Sequence, residues 1–333
     1  MSDFVTLKAT LKRGALVTAA NWPVVLIQFV SESTVKLLLG VPVAAGVLLA
    51  AMTLGRDIGE LVGGDARDIV TAVGTTLVEQ PLAFVSFVVA LAIALAGGGV
   101  LGFLVKGGTV SVLAAGERNA GGIENLPLRV PVFARASGYS VEAFLAGCRR
   151  FFRRYLRLGA ALFGVYLLSG GLYLAVVFGG YRVVEGAGFA MGWTVVAAIC
   201  SVMLVLWITV VNLLYLLLQM AVTVEDCSVR VAVRLVAAFL EQRGRDVGIV
   251  FLLLFALVVV ATGASLIATA GLGLVSFVPL IGFAAFPLQA IAWLVRGLVF
   301  QYLGLTALGA YLALYRTAPS AIGAGTTFTE ARS

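Results

Sequence analysis

The sequence predicts an all-α, polytopic membrane bundle of about six transmembrane helices in three hairpins, each preceded by an amphipathic interfacial helix. Three observations carry that reading. Of 333 residues, 61% are hydrophobic and 12% charged, whereas soluble domains are nearly half apolar and about a quarter charged. Apolar runs of the roughly 20 residues needed to cross a bilayer recur along the chain. Lys and Arg gather on alternate connections: only Arg56, Arg67 and Arg182 fall on the outer side, and Lys36 and Arg296 lie within spans. The positive-inside rule then places both termini in the cytoplasm of a bacterial inner membrane.

Residues 3–18 suit a first amphipathic helix, with Phe4, Leu7, Leu11 and Ala15 along one side and Lys8 and Lys12 at its edge. The apolar run that follows is too long for a cleaved signal peptide, so the first span is expected in the mature protein. It covers about 22–54, with Trp22 at headgroup level and Pro23 in the first turn. That exceeds one bilayer thickness, so the helix tilts, protrudes or bends at Pro42. Residues 55–80 are polar and mostly acidic, with Asp57, Glu60, Asp65, Asp68 and Glu79 against Arg56 and Arg67, and read as the largest outer loop.

A second span runs from Pro81 to about Val105, with Gly98 and Gly102 at the small-xxx-small spacing of closely packed helices. Gly97, Gly99 and Gly102 also fit a dinucleotide fingerprint, but no strand or βαβ unit surrounds them, so helix packing is the reading. Residues 106–139 read as the longest inner connection. Its Lys106-Gly107-Gly108-Thr109 lacks the spacer of a phosphate loop.

Residues 140–158 set Val141, Phe144, Leu145, Cys148, Phe151, Phe152, Tyr155 and Leu156 on one helical arc, and Arg149, Arg150, Arg153, Arg154 and Arg157 on the other. An aliphatic face with arginines opposite predicts a helix lying in the interface, its guanidinium groups among anionic lipid phosphates. Spans follow at 159–178 and 189–222. The pattern then returns: Val229, Ala232, Val233, Val236, Phe239 and Leu240 oppose Arg230, Arg234, Glu241 and Arg245. A fifth span covers 247–270, a Gly- and Pro-rich stretch at 271–287 reads as a re-entrant or outer-leaflet loop, and a sixth span covers 288–314. This gives one membrane domain over 1–318, with pseudo-repeats at 3–105, 139–222 and 227–316, and a flexible tail at 319–333.

Several functions are disfavoured. Histidine is absent, which removes the commonest metal ligand and general base. The three cysteines, Cys148, Cys200 and Cys227, form no close pair, so neither a disulfide framework nor a metal site is expected, and no cofactor is implied. The net charge of +7 sits beside apolar spans, which favours membrane lipids, above all anionic ones, over nucleic acid. No Gly-x-Ser-x-Gly elbow occurs, and Ser169 has no base to activate it.

What remains is an intramembrane polar set: Glu32, Lys36, Asn212, Arg296 and Gln301. Such groups face a bundle interior, a cavity or a partner. An interhelical ion pair that holds the bundle is the favoured reading, and a substrate or proton path the rival. The expected function is non-enzymatic: organising lipid or protein partners, as a homo-oligomer or as a subunit of a larger complex. The alternative is a transporter or channel for a small anionic solute.

The ending LTALGAYLALYR, the repeated Ser-Val amphipathic helix before a span and the KGG turn after the second span resemble prokaryotic six-helix membrane families of unknown function. They also resemble the membrane domain attached to some glycerophosphodiester phosphodiesterases. In those enzymes the chemistry resides in a separate soluble barrel, so the resemblance implies a membrane fold and no phosphodiesterase activity.

Overall fold

The computed structural model describes residues 2–54, 81–125, 127, 129–185, 190–276 and 281–317. Among them are eight α-helices and no strand: α1 (Ser2–Ala20), α2 (Trp22–Leu54), α3 (Pro81–Asn119), α4 (Val130–Ala136), α5 (Val141–Glu185), α6 (Ala190–Val224), α7 (Val229–Ser276) and α8 (Ile281–Thr317), with a 3-10 turn at Ile123–Asn125. Six stretches, in α2, α3, α5, α6, α7 and α8, are long and apolar enough to cross a membrane. The chain is an all-α, multi-pass integral membrane protein. The predicted outer loop at 55–80 and the tail at 319–333 lie outside the described residues.

Two compact units emerge, Ile27–Val105 and the remainder of the chain. Within the first, α2 and α3 approach closely at glycines. A Cβ on Gly98 would stand 2.8 Å from Cγ1 of Val35, and one on Gly46 3.1 Å from the Phe87 ring. Gly102, the other half of the small-residue pair, has open space around it. Helix α2 continues through Pro42.

In the second unit the side-chain core sits at the arginine-rich end. Val110, Leu113, Tyr155, Leu217, Phe239 and Tyr311 are all almost completely buried there. In contrast, none of the residues in the most apolar stretches of α5 and α6 is buried. Helix α1 lies on the carboxyl half of α8, where Gly14 meets the backbone of α8 directly. A Cβ there would fall 2.5 Å from the Ala310 nitrogen and 2.7 Å from the Thr306 carbonyl oxygen.

Three expectations change. Residues 106–119 are not a connection but the end of α3. Gly107 and Gly108 serve close packing: a Cβ on Gly108 would lie 2.7 Å from both the Cys148 Sγ and the Phe144 ring. Lys106-Gly107-Gly108 is therefore helical, and the turn on which the family resemblance partly draws is absent. Next, 271–276 and 281–287 belong to α7 and α8 rather than to a loop, and the rest of that predicted stretch, 277–280, lies outside the described residues. Ala, Leu and Ile around the glycines keep those helices going once intrahelical bonding satisfies the backbone.

Finally, the apolar arc of 140–158 faces protein over much of its width. Phe144, Cys148, Phe151 and Tyr155 are buried, while Val141 and Leu145 stay exposed. This segment is not set off from its span, because α5 runs 45 residues without an internal break. That is about 68 Å at 1.5 Å per residue, against about 30 Å of hydrocarbon. The amphipathic part must therefore continue past the bilayer along the axis of its span. In α7 the division is visible as a kink at Arg243, φ −129° and ψ 19°, with the Arg243 guanidinium 2.9 Å from Asp246.

Candidate functional site

The charged and polar groups of the second unit form three connected arrangements. The first ties α1 to the end of α3. Arg13 Nε donates to the Glu117 carboxylate at 2.7 Å, and its Nη1 pairs with Glu124 at 2.9 Å and donates to the Gly121 carbonyl. Lys12 Nζ reaches the Glu124 carbonyl at 2.6 Å. Gly121 has φ +54°, a left-handed conformation that costs glycine nothing and turns its carbonyl towards α1. Burial disfavours the charge on Arg13, but the charges and hydrogen bonds of Glu117 and Glu124 outweigh it and hold the guanidinium's pKa above its ordinary value. The second Glu117 oxygen is buried and has no hydrogen-bond partner among the described residues, so that carboxylate depends heavily on Arg13.

Asn21 acts beside this network. Fully buried in the break between α1 and α2, it donates to the Val17 and Ala136 carbonyls at 2.8 and 3.1 Å and accepts from the Gly138 amide at 2.8 Å. It thereby pins the α4–α5 connection to the end of α1.

The second arrangement is on the arginine stripe. Asp226, in the short link between α6 and α7, accepts from Arg150 and from Arg154, the latter at 2.5 Å. The hydrogen bond from Arg150 comes first among the influences that hold its carboxyl below the ordinary carboxylate range. Slight burial opposes it, and Arg154 reinforces it by hydrogen bond and charge. Asp226 has φ +46°, a left-handed position that Asp and Asn tolerate better than other side chains. Arg149, Arg153 and Arg157 remain exposed. The five arginines thus divide into two that latch a loop and three that face outward.

The third arrangement is a hydrogen-bonded seam between α5 and α6. Tyr155 meets Thr223 at 2.8 Å and donates to the Gln219 carbonyl at 3.0 Å. Tyr166 donates to Asn212 at 2.6 Å, Trp207 to Ser169 at 2.9 Å, and Tyr173 pairs with Ser201 at 2.7 Å. On α5 these residues fall within about 60° of one another at 100° per residue. Hydrogen bonds of this kind hold spans together where hydrocarbon offers no hydrophobic drive, at about 0.6 kcal/mol each. Beside the seam lies an apolar cavity of about 450 Å³ lined by Leu172, Val176, Ile199 and Met203.

Of the intramembrane set predicted from sequence, Lys36 and Glu32 pair along one helix, and Asn212 engages a neighbouring helix. Lys36 Nζ is 2.7 Å from Glu32 one turn earlier on α2, both well exposed. Asn212 belongs to the seam. The Arg296 guanidinium lies 5.8 Å from the Phe300 ring centroid, one turn on along α8. Gln301 is half-buried on the same helix, about 140° around from Arg296. Sequence reasoning did not single out Glu117, Asp226 or Asn21. Glu117 lay in a stretch read as a loop, and Asp226 was one acidic residue among many. Asn21 carried the available signal, a polar residue wedged between a helix end and a Trp-Pro helix start. Among the described residues no group of three His, Cys, Asp or Glu side chains could hold a metal ion.

The six apolar helices define the class: a polytopic integral membrane protein. Compared with protein-family models, curated proteins and solved structures, the chain matches none.

Proposed function

We propose that this protein is a non-enzymatic scaffold of a bacterial inner membrane, both termini cytoplasmic, which organises anionic lipid and protein partners as a subunit of a larger membrane complex. One observation carries the reading: the side-chain core gathers at the basic end, while none of the residues in the most apolar stretches of α5 and α6 is buried. A protein that binds its neighbours through its membrane surface needs such a division between a packed anchor and exposed spans. The outward Arg149, Arg153 and Arg157 supply charge for an anionic leaflet, each contributing up to about 1 kcal/mol near the surface. A transport path draws less support, because Glu32 and Lys36 engage each other and Asn212 engages Tyr166.

Purification from native membranes, with mass spectrometry of co-isolated lipids and proteins, tests the proposal. Reproducible enrichment of an anionic lipid and of defined membrane proteins is expected. A lone monomer that retains neither would overturn it.

A further inference from the structure

Two arginines one turn apart on α5, Arg150 and Arg154, grip a single carboxylate. Arg150 Nη2 donates to one oxygen of Asp226, and Arg154 Nη1 donates to the other at 2.5 Å. Both guanidinium groups also lie against one ring, that of Phe151, with their Cζ atoms 5.6 and 6.0 Å from its centroid. Phe151 is 4% exposed, so the core fixes the ring, and the ring holds the two cations in place ahead of any anion. All of these residues belong to one compact unit, so the clamp and its occupant are set by that unit alone. Two donors from two arginines onto two oxygens is a pattern that recognises a carboxylate and a phosphate alike.

The occupant comes from the chain's own link. Residues 225–228 join α6 to α7, and Asp226 is their left-handed residue, φ +46°. An L side chain is disfavoured there, although Asp tolerates it, so the two ion pairs hold the link against a bias towards release. Depth brings a phosphate to the same place. The apolar stretch of α6 ends at Val224, two residues before Asp226. On α5 the charge-free run begins at Leu158, about 6 Å along the axis from Arg154 and about 12 Å from Arg150. The polar layer flanking the hydrocarbon is about 5–7 Å deep on each side, so the shared carboxylate stands at the aqueous edge of the headgroups.

We infer that the Arg150–Arg154 clamp is a binding site for the phosphate of an anionic lipid headgroup, and that Asp226 is its built-in competitor. Lipid phosphate displaces the carboxylate and frees the α6–α7 link. This rests on the anionic-lipid part of the scaffold reading and supplies its regulation. Arg149, Arg153 and Arg157 draw anionic lipid to the helix in either state, and the clamp adds a phosphate only when Asp226 leaves. Lipid composition is thereby converted into the state of a link between two spans.

The test uses the full chain in nanodiscs of phosphatidylcholine, alone or with phosphatidylglycerol. It reads the link at Cys227, the residue after Asp226, by the rate of labelling with a neutral maleimide, mapped by mass spectrometry to separate Cys227 from Cys148 and Cys200. Phosphatidylglycerol should speed labelling by about threefold or more. Asp226→Asn keeps the left-handed turn and removes the charge, so its labelling should be fast in both discs and indifferent to lipid. In native mass spectrometry Asp226→Asn should retain about twofold more phosphatidylglycerol than the parent, because the competitor is gone. Adding Arg150→Gln and Arg154→Gln should abolish that gain. If Asp226→Asn fails to accumulate, Arg150→Gln with Arg154→Gln carries the test, since its Cys227 labelling should also be indifferent to lipid. Equal labelling of the parent in both discs, or no gain in retention with Asp226→Asn, would overturn the inference. So would inorganic phosphate at matched concentration reproducing the effect in phosphatidylcholine discs, which would make the clamp a site for soluble phosphate. The scaffold reading survives such a failure wherever purification still enriches anionic lipid or a partner, and falls only where it enriches neither.

Discussion

Replacing Arg13 by Met tests whether the α1–α3 ion pair holds the basic-end core. The substitution keeps much of the side chain's apolar stem and removes the only hydrogen-bonding partner that the Glu117 carboxylate has among the described residues; that side chain is 2% exposed. Breaking a buried pair from one side costs about 3–5 kcal/mol, because the remaining charge stays buried and alone. Arg13 itself is 19% exposed, which places the loss near the lower end, about 3 kcal/mol. That is about a hundredfold in the ratio of closed to open core. Glu124, at 17% exposure, is partly hydrated and adds little. The double variant Arg13→Met with Glu117→Met should recover to within about 1 kcal/mol of the parent, since apolar replacement of a whole buried pair is often neutral or stabilising. The assay is the thiol-labelling rate of Cys148, which is 3% exposed, in solubilised protein across a denaturant series. Stability of Arg13→Met within about 0.5 kcal/mol of the parent would refute the argument. So would a double variant that loses the sum of both single losses.

Four further outcomes follow from named residues. Because the Asp226 pKa is depressed in the folded protein, its contribution is complete above the unfolded value of about 3.9 and is lost as pH falls through the lower folded value. Hydrogen exchange at 225–229, corrected for intrinsic rates, should then be flat from pH 7 to about 5 and rise in stronger acid, and Asp226→Asn should remove that acid limb. At the same position Asp226→Ala should be less stable than Asp226→Asn by about 1 kcal/mol in a thermal melt, since Ala lacks the local hydrogen bonding that eases φ +46°. Gly14→Ala should cost about 1–3 kcal/mol by forcing α1 off α8, whereas Gly164→Ala, with open space around it, should gain up to about 1 kcal/mol; melting of the purified protein compares them. Arg149, Arg153 and Arg157 changed together to Gln should lower phosphatidylglycerol or cardiolipin retention in native mass spectrometry more than the pair Arg150 and Arg154 does, because the latter are engaged by Asp226.

The spans were legible because hydrophobic length is a property of single segments. Trp22 at an exposed helix start and Gly98 at a tight helix contact lie where the sequence puts them. What failed depended on neighbours. Gly107 and Gly108 look like a turn in one dimension, and only the approach of Phe144 and Cys148 shows why a helix wants them bare. The face of 140–158 was assigned to lipid because periodicity gives a stripe without saying what covers it. The Arg13–Glu117 pair joins residues 104 apart, a separation at which no local pattern carries information.

The unbroken course of α5 makes its two ends phase-locked. One residue inserted anywhere between Gly159 and Tyr166 would turn the latch residues Arg150 and Arg154 by about 100° relative to the seam above. The same insertion would advance them by about 1.5 Å, and the helix has no joint at which to absorb either change. Helix α7 has such a joint at Arg243, so an insertion near it can be taken up locally. The two halves of the molecule's basic end thus tolerate length changes very differently. Any axial shift or rotation imposed on the membrane part of α5 is delivered whole to the Asp226 loop.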